Sequence, residues 1–333
     1  MRKIPYRAVL LTLAMLFSFS VFALPAEAAE EINYRLKWLL NTSVVGDIYA
    51  DVQGVFAENG LKVTVKPGGP ERDAIRELEL GLAQFGVASA DQVIRALSKG
   101  SPVVVIAQLF QVNPLQWIYR ASAPPINTLS DLKTRRIGIT YGGNDETIMR
   151  TLLAKGKIAE KDVRLFSVRY DYTPFYQKKV DIWPVYRNTQ ATILSRKLEK
   201  EGEAVQYFNP AEFGVHFVAN SVVTSREMIE KRPETVKRFI QALLRGWKES
   251  LSPENEARAL ETLQQVDKDT PPDVLLEQLR ITRQLIVPPA GTAIGAIDIA
   301  AWKQTEAIMI QQKQIPKPVR VETVLQSGFI PAD

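Results

Sequence analysis

The chain has 333 residues, 46% of them hydrophobic and 24% charged, which is enough for two medium domains of ordinary globular composition. The net charge of +5 draws three positives from Arg2, Lys3 and Arg7 at the extreme N-terminus, and no basic run interleaved with aromatics follows, which argues against nucleic acid as a partner. The absence of cysteine excludes thiol nucleophiles, iron–sulfur clusters, thiolate zinc sites and a lipid-modified cysteine.

Residues 1–28 read as a secretory leader, with a basic start, an apolar run over 8–24 and small residues at Ala26 and Ala28 for cleavage after Ala28. An uncleaved anchor is the alternative, and no second apolar run of that length follows. Alternation over 32–38 predicts a first strand. Asn41, Thr42 and Ser43 then supply caps for a helix over 45–59 that Gly60 ends. A strand over 61–65, a Pro-Gly loop, a helix over 72–80, a strand over 83–88, a helix from Ser89 to about 98 and an apolar strand over 103–110 complete a doubly wound α/β lobe.

The stretch 122–127, SAPPIN, reads as the first crossing between lobes, and Asn209-Pro210 begins the second. Between them lie strands over 136–141, 162–169, 181–185 and 205–208, with helices to about 155 and over 187–201. Gly142-Gly143 permits a tight loop, and Asn144 or Asp145 can cap the helix behind it. That loop is either an ordinary βα turn or a cradle of backbone N–H groups at a positive helix end. A strand over 217–224 returns to the first lobe, and the remainder is mostly helical. The expected organisation is therefore 29–121 with 214–333 as lobe I, and 122–213 as lobe II.

The segments GDIYADVQGVFAENG, LGLAQFGVASADQVIRALSKGSPVVVIAQLFQVNP, LSDLKTRRIGITYGGNDE, VDIWPVY and FGVHFVANSVVTSREMI, in that order and spacing, resemble the substrate-binding proteins of ABC importers. The branch is the NMT1/SsuA-like family of nitrate, sulfonate and thiamine-pyrimidine-precursor binders. The resemblance implies a bilobal type II periplasmic-binding-protein fold, with two doubly wound α/β lobes, a ligand cleft and two hinge crossings. It implies a periplasmic monomer that captures a small solute and hands it to ABC permease and ATPase subunits, with no cofactor and no enzymatic step. Carried over position by position, the cleft lining is Trp38 and Asn41, Ser89 and Asp91, Gln111 and Asn113, Gly143, Asn144 and Asp145, and Trp183, Tyr186 and Gln190. Two departures concern the ligand: Asp47 and Ile48 stand where pyrimidine binders carry aromatics, and Gln190 stands where they carry an acid.

Trp38, Trp183 and Tyr186 can stack on a flat ligand or pack in the core. Asp91 and Asp145 can cap helices or face the cleft, where they would favour a ligand with N–H donors over an anion. Arg187 would reverse that preference if it faced the cleft, and the lone His216 reads as structural, near the hinge. The expected solute is a small nitrogen-containing heteroaromatic resembling a thiamine-pyrimidine precursor. The alternatives are a sulfonate- or nitrate-type anion binder, or a sensor that presents its bound state to a membrane signalling protein.

Overall fold

The computed structural model describes residues 29–331 apart from 70, 71, 142, 170 and 288–292; the leader expected at 1–28 and Gly142 of the expected loop lie outside them. Two five-stranded sheets organise the chain. The first, in the order β2-β1-β3-β10-β4, contains β1 (Glu30–Arg35), β2 (Leu61–Lys66), β3 (Phe85–Ala88), β4 (Val103–Gln108) and β10 (Ser221–Ser225). The second, in the order β7-β6-β8-β5-β9, contains β5 (Leu115–Arg120), β6 (Arg136–Ile139), β7 (Arg164–Ser167), β8 (Ile182–Tyr186) and β9 (Val205–Phe208). In the first sheet β1 runs parallel to β2 and β3, and β10 lies antiparallel between β3 and β4. In the second, β6 is parallel to β7 and β8, and β5 lies antiparallel between β8 and β9. Each sheet thus receives as its antiparallel member the strand that follows a crossing from the other.

The helices in chain order are α1 (Val45–Val52), α2 (Val55–Glu58), α3 (Ala74–Glu79), α4 (Ala90–Leu97), α5 (Asn144–Lys155), α6 (Thr173–Tyr176), α7 (Gln190–Lys200), α8 (Arg226–Lys231), α9 (Pro233–Ser250), α10 (Glu256–Val266), α11 (Pro272–Ile286) and α12 (Ile299–Gln311). One face of the first sheet is buried by α1, α2 and α8–α11, around Phe56, Phe85, Phe239 and Trp247. The other is buried by α3, α4 and α12. In the second lobe α5 covers one face, and α6 and α7 cover the other. Both sheets are therefore covered on both sides, which is why β4 and β5 are buried at every position instead of alternating.

Two expectations are corrected. Residues 115–120, assigned to lobe I, form β5 of the second sheet, so the chain crosses between Gln108 and Leu115 and not at 122–127. It returns between Phe208 and Ser221. The helix expected over 45–59 is broken, because Gly54 takes a left-handed φ of 74° that stops α1 and restarts the chain as α2.

Candidate functional site: the cleft between the lobes

The parallel strands of the first sheet end facing the second lobe, the edge at which open α/β sheets bind ligands. Past β1 the chain carries Lys37 and Trp38. The loop after β2 folds beneath them: Gly68 N donates to Trp38 O at 2.8 Å, and a Cβ on Gly68 would stand 2.0 Å from Leu36 O. These loops and the start of α3 enclose a cavity of about 120 Å³, whose lining includes Lys37, Trp38, Gly69, Arg72, Asp73 and Gln92. From the opposite lobe Tyr186, at the end of β8, brings its hydroxyl within 3.5 Å of Lys37 Nζ. Among the described residues neither Lys37 nor Arg72 has a carboxylate partner. Among the described residues the one acid in the lining, Asp73, is occupied at the N-terminus of α3, accepting from Ile75 N and Arg76 N at 2.8 and 3.0 Å.

Beside this cavity the lobes meet through polar groups on two flanks. On one, Asn188 Nδ2 donates to Ser43 Oγ at 3.2 Å and to Thr282 Oγ1 of α11 at 2.9 Å. Gln278, also on α11, donates to Thr189 O and Thr192 Oγ1 and accepts from Thr42 Oγ1. At the rim of this flank Arg196 of α7 pairs with Asp273 and Glu277 of α11. On the other flank Gln314 Nε2 donates to Thr147 Oγ1 of α5 at 2.5 Å. Among the described residues the buried acceptor Asn188 Oδ1 on the first of these flanks and the buried donor Asn144 Nδ2 at the start of α5 have no partner.

The sequence-derived residues divide into groups. Trp38 lines the cavity; Tyr186 of the other lobe touches the lining residue Lys37. Asn41 caps the turn that precedes α1, accepting from Ser43 N. Ser89 forms a capping box with Gln92 at the start of α4. Its Oγ donates to Asp91 Oδ1 at 2.6 Å, and Asp91 also faces Arg95 at 3.7 Å, so the buried Asp91 carboxylate is held by side chains of its own helix start and is not its N-cap. Asp145 is likewise internal: its Oδ2 accepts from Thr140 N at 2.5 Å, and burial pushes its carboxyl up to about 6. Gly143 has an ordinary φ of −84°; glycine is required there for space, since a Cβ would meet Asp145 Oδ1 at 2.4 Å and Thr140 O at 2.9 Å. Gln190 Oε1 accepts from Tyr186 N and Thr189 Oγ1, which fixes Tyr186 at the end of its strand.

Trp183 requires a correction. It is 1% exposed, packed with Tyr172 and Phe175 in the core beneath α6 and α7, and offers no face to a solute. Arg187 is committed to the ring of Tyr207, 4.0 Å from its centroid. Asp47 and Ile48 are buried under α9 and stay outside the cleft, so their difference from aromatic residues does not alter its walls. Gln111 and Asn113 sit on the first crossing. Gln111 Nε2 donates to Gln108 O and Ala296 O, and Asn113 Nδ2 to Phe217 O on the second crossing. Both line a separate cavity of about 290 Å³ between the crossings, where His216 also lies.

Sequence reasoning missed Lys37, Arg72, Asn188 and Gln278. Lys37 adjoins Trp38 and could have been read with it. Nothing local marks Asn188 or Gln278, which are 90 residues apart and meet only in the folded chain.

The model of the family described as NMT1/THI5 like matches residues 41–257. The chain belongs to this family. Among its relatives is the formylaminopyrimidine-binding protein of Halalkalibacterium halodurans, 25% identical over 97% of this chain and 98% of the relative. The riboflavin-binding protein RibY of Chloroflexus aurantiacus is also 25% identical, over 91% of this chain and 86% of the relative. Among solved structures, the periplasmic aliphatic sulphonate-binding protein SsuA of Escherichia coli superposes with a TM-score of 0.70 at 16% identity, covering 90% and 92% of the two chains. That likeness establishes the bilobal fold.

Proposed function

We propose that this family member is an extracytoplasmic solute-binding protein that captures a small nitrogen-containing heteroaromatic molecule and delivers it to the permease and ATPase of an ABC importer. The observation that carries the reading is the placement of Trp38 and Tyr186 on facing lobes, with Lys37 reaching from one to the other beside a partly open cavity. Aromatic faces hold flat rings at low conformational cost. The relatives that bind formylaminopyrimidine and riboflavin support the ligand class.

Lobe closure would signal occupancy to the membrane partner, and the leader read at 1–28 would place the protein in the periplasm. Thermal unfolding of the mature protein against formylaminopyrimidine, riboflavin and alkanesulfonates tests the reading. A ligand at 100 times its Kd adds about 2.7 kcal/mol to stability. Stabilisation by the one-ring compound supports the proposal; stabilisation by alkanesulfonates alone overturns the ligand class and leaves a binding protein of another specificity.

A further inference from the structure

We infer that α11 is the latch of the cleft: its polar face holds the lobes together through bonds that do not involve the solute, so that the closed form is populated before any solute binds. The inference rests on the two-lobed reading and is independent of the ligand class proposed for it. α11 is amphipathic, and each of its faces serves a different lobe. Leu275, Leu279, Leu285 and Ile286 lie in the core of the first lobe. Asp273, Glu277, Gln278 and Thr282, spaced along one side of the helix, all bond to the second lobe. Their partners Asn188, Thr189, Thr192 and Arg196 repeat that spacing into α7. The pairing runs antiparallel, from Asn188 with Thr282 to Arg196 with Asp273.

Asn188, Thr192, Gln278 and Thr282 are each 2% exposed or less, so water does not compete for their bonds while the lobes touch. Among the described residues, however, no side chain of α11 belongs to either apolar core of the second lobe. That composition marks a face that separates. Parting an apolar interface exposes apolar surface to water, whereas amides and hydroxyls that part exchange one set of hydrogen bonds for another. The closed and open forms then differ by a small free energy, which is the condition for both to be populated. None of these four residues lines the cavity at Trp38. The latch therefore raises the affinity for every solute by one common factor, where a residue touching the solute would discriminate among them.

The chain contains no cysteine, so two introduced cysteines carry spin labels alone. Lys161→Cys on the second lobe and Lys237→Cys on the first are both at exposed positions. Pulsed electron–electron resonance measures the separation of the labels in the mature protein, refolded from urea to remove carried-over solute. The perturbation is Thr192→Val/Thr282→Val, which keeps the shape of both side chains. It removes one acceptor each from Gln278 Nε2 and Asn188 Nδ2, stranding an N–H on each amide in the closed form and leaving both to water in the open one. The parent is expected to show the separation of this structure without solute. The variant is expected to shift to a second separation, with the closed-to-open ratio falling about fivefold or more. Arg196→Ala, at the solvent-exposed rim, is expected to move the ratio the same way by less. A solute-free parent that lacks the separation of this structure overturns the inference. So does a valine variant that loses stability in urea but keeps the parent's separations, since its threonines would then serve packing alone. Neither outcome touches the proposed ligand class, which is read with solute present.

Discussion

Asp47 provides the most quantitative test of the structure. It is fully buried in the first turn of α1, where Tyr34 Oη donates to Oδ1 at 2.5 Å. The nearby indole N–H of Trp247 also lowers the carboxyl, although neither Trp247 Nε1 nor Asp47 Oδ2 has a hydrogen-bond partner among the described residues. Burial outweighs these contacts and raises the carboxyl from 3.8 to about 7. Between those values the folded chain therefore binds more protons than the unfolded chain, and stability falls as pH rises from about 4 to about 7. At 1.36 kcal/mol per pKa unit the loss through this one group is about 4 kcal/mol. Asp47→Asn keeps the shape and the acceptor for Tyr34 and removes the titration. Urea unfolding of both proteins at pH 4.5, 6 and 8 gives the comparison, with contributions from Asp145 and the surface carboxylates cancelling between them. The asparagine variant is expected to gain on the parent with rising pH, by about 3–4 kcal/mol at pH 8 relative to pH 4.5. Parallel pH profiles would refute the argument, since they would mean that Asp47 is ionised throughout or is reached by water.

Two further outcomes follow from the packing. Trp183→Ala is expected to lose about 3–5 kcal/mol of stability in urea unfolding as a core truncation, while Trp183→Phe keeps the parent's ligand affinity; a large affinity loss in the phenylalanine variant would return Trp183 to the cleft. Gln278→Ala leaves buried partners at Thr189, Thr192 and Thr42, and with Arg196→Ala it removes the side-chain links of α7 to α11, leaving the Asn188 bonds to Ser43 and Thr282 on that flank. Solution scattering of the double variant without ligand is expected to show a larger radius of gyration than the parent, and unchanged scattering would mean that this flank does not hold the lobes together.

The first lobe was legible in the sequence because Gly60, the Pro-Gly loop and the apolar run at 103–110 are local signals. The fate of β5 was not. Its side chains are buried on both faces, so LQWIYR shows no alternation, and pattern alone cannot say which sheet a fully buried strand joins. The aspartates are decided by contacts that the sequence does not show. Asp91 and Asp145 sit in the first turn of a helix, where the sequence offers a cap and a ligand contact with equal ease; both are buried, Asp91 accepting from Ser89 Oγ and Asp145 from Thr140 N. Trp183 failed for the opposite reason. Its strand end lies near the cleft, but alternation turns Trp183 inward and leaves Tyr186 to face the other lobe. The junction of Asn188, Thr282 and Gln278 was invisible because its members come from distant parts of the chain.

The two antiparallel strands also dictate an order of assembly. The second sheet is drawn wholly from residues 115–208, a continuous stretch that can fold as soon as it is synthesised. The first cannot, because β10 lies between β3 and β4 and joins them: until residue 225 emerges, that sheet exists as two unconnected pieces with exposed edges. The inserted lobe should thus be born first and the lobe that encloses it in sequence last. Pulse-labelled hydrogen exchange during refolding would show protection in β6 and β8 ahead of β3 and β4, and simultaneous protection would mean that the two halves fold as one unit.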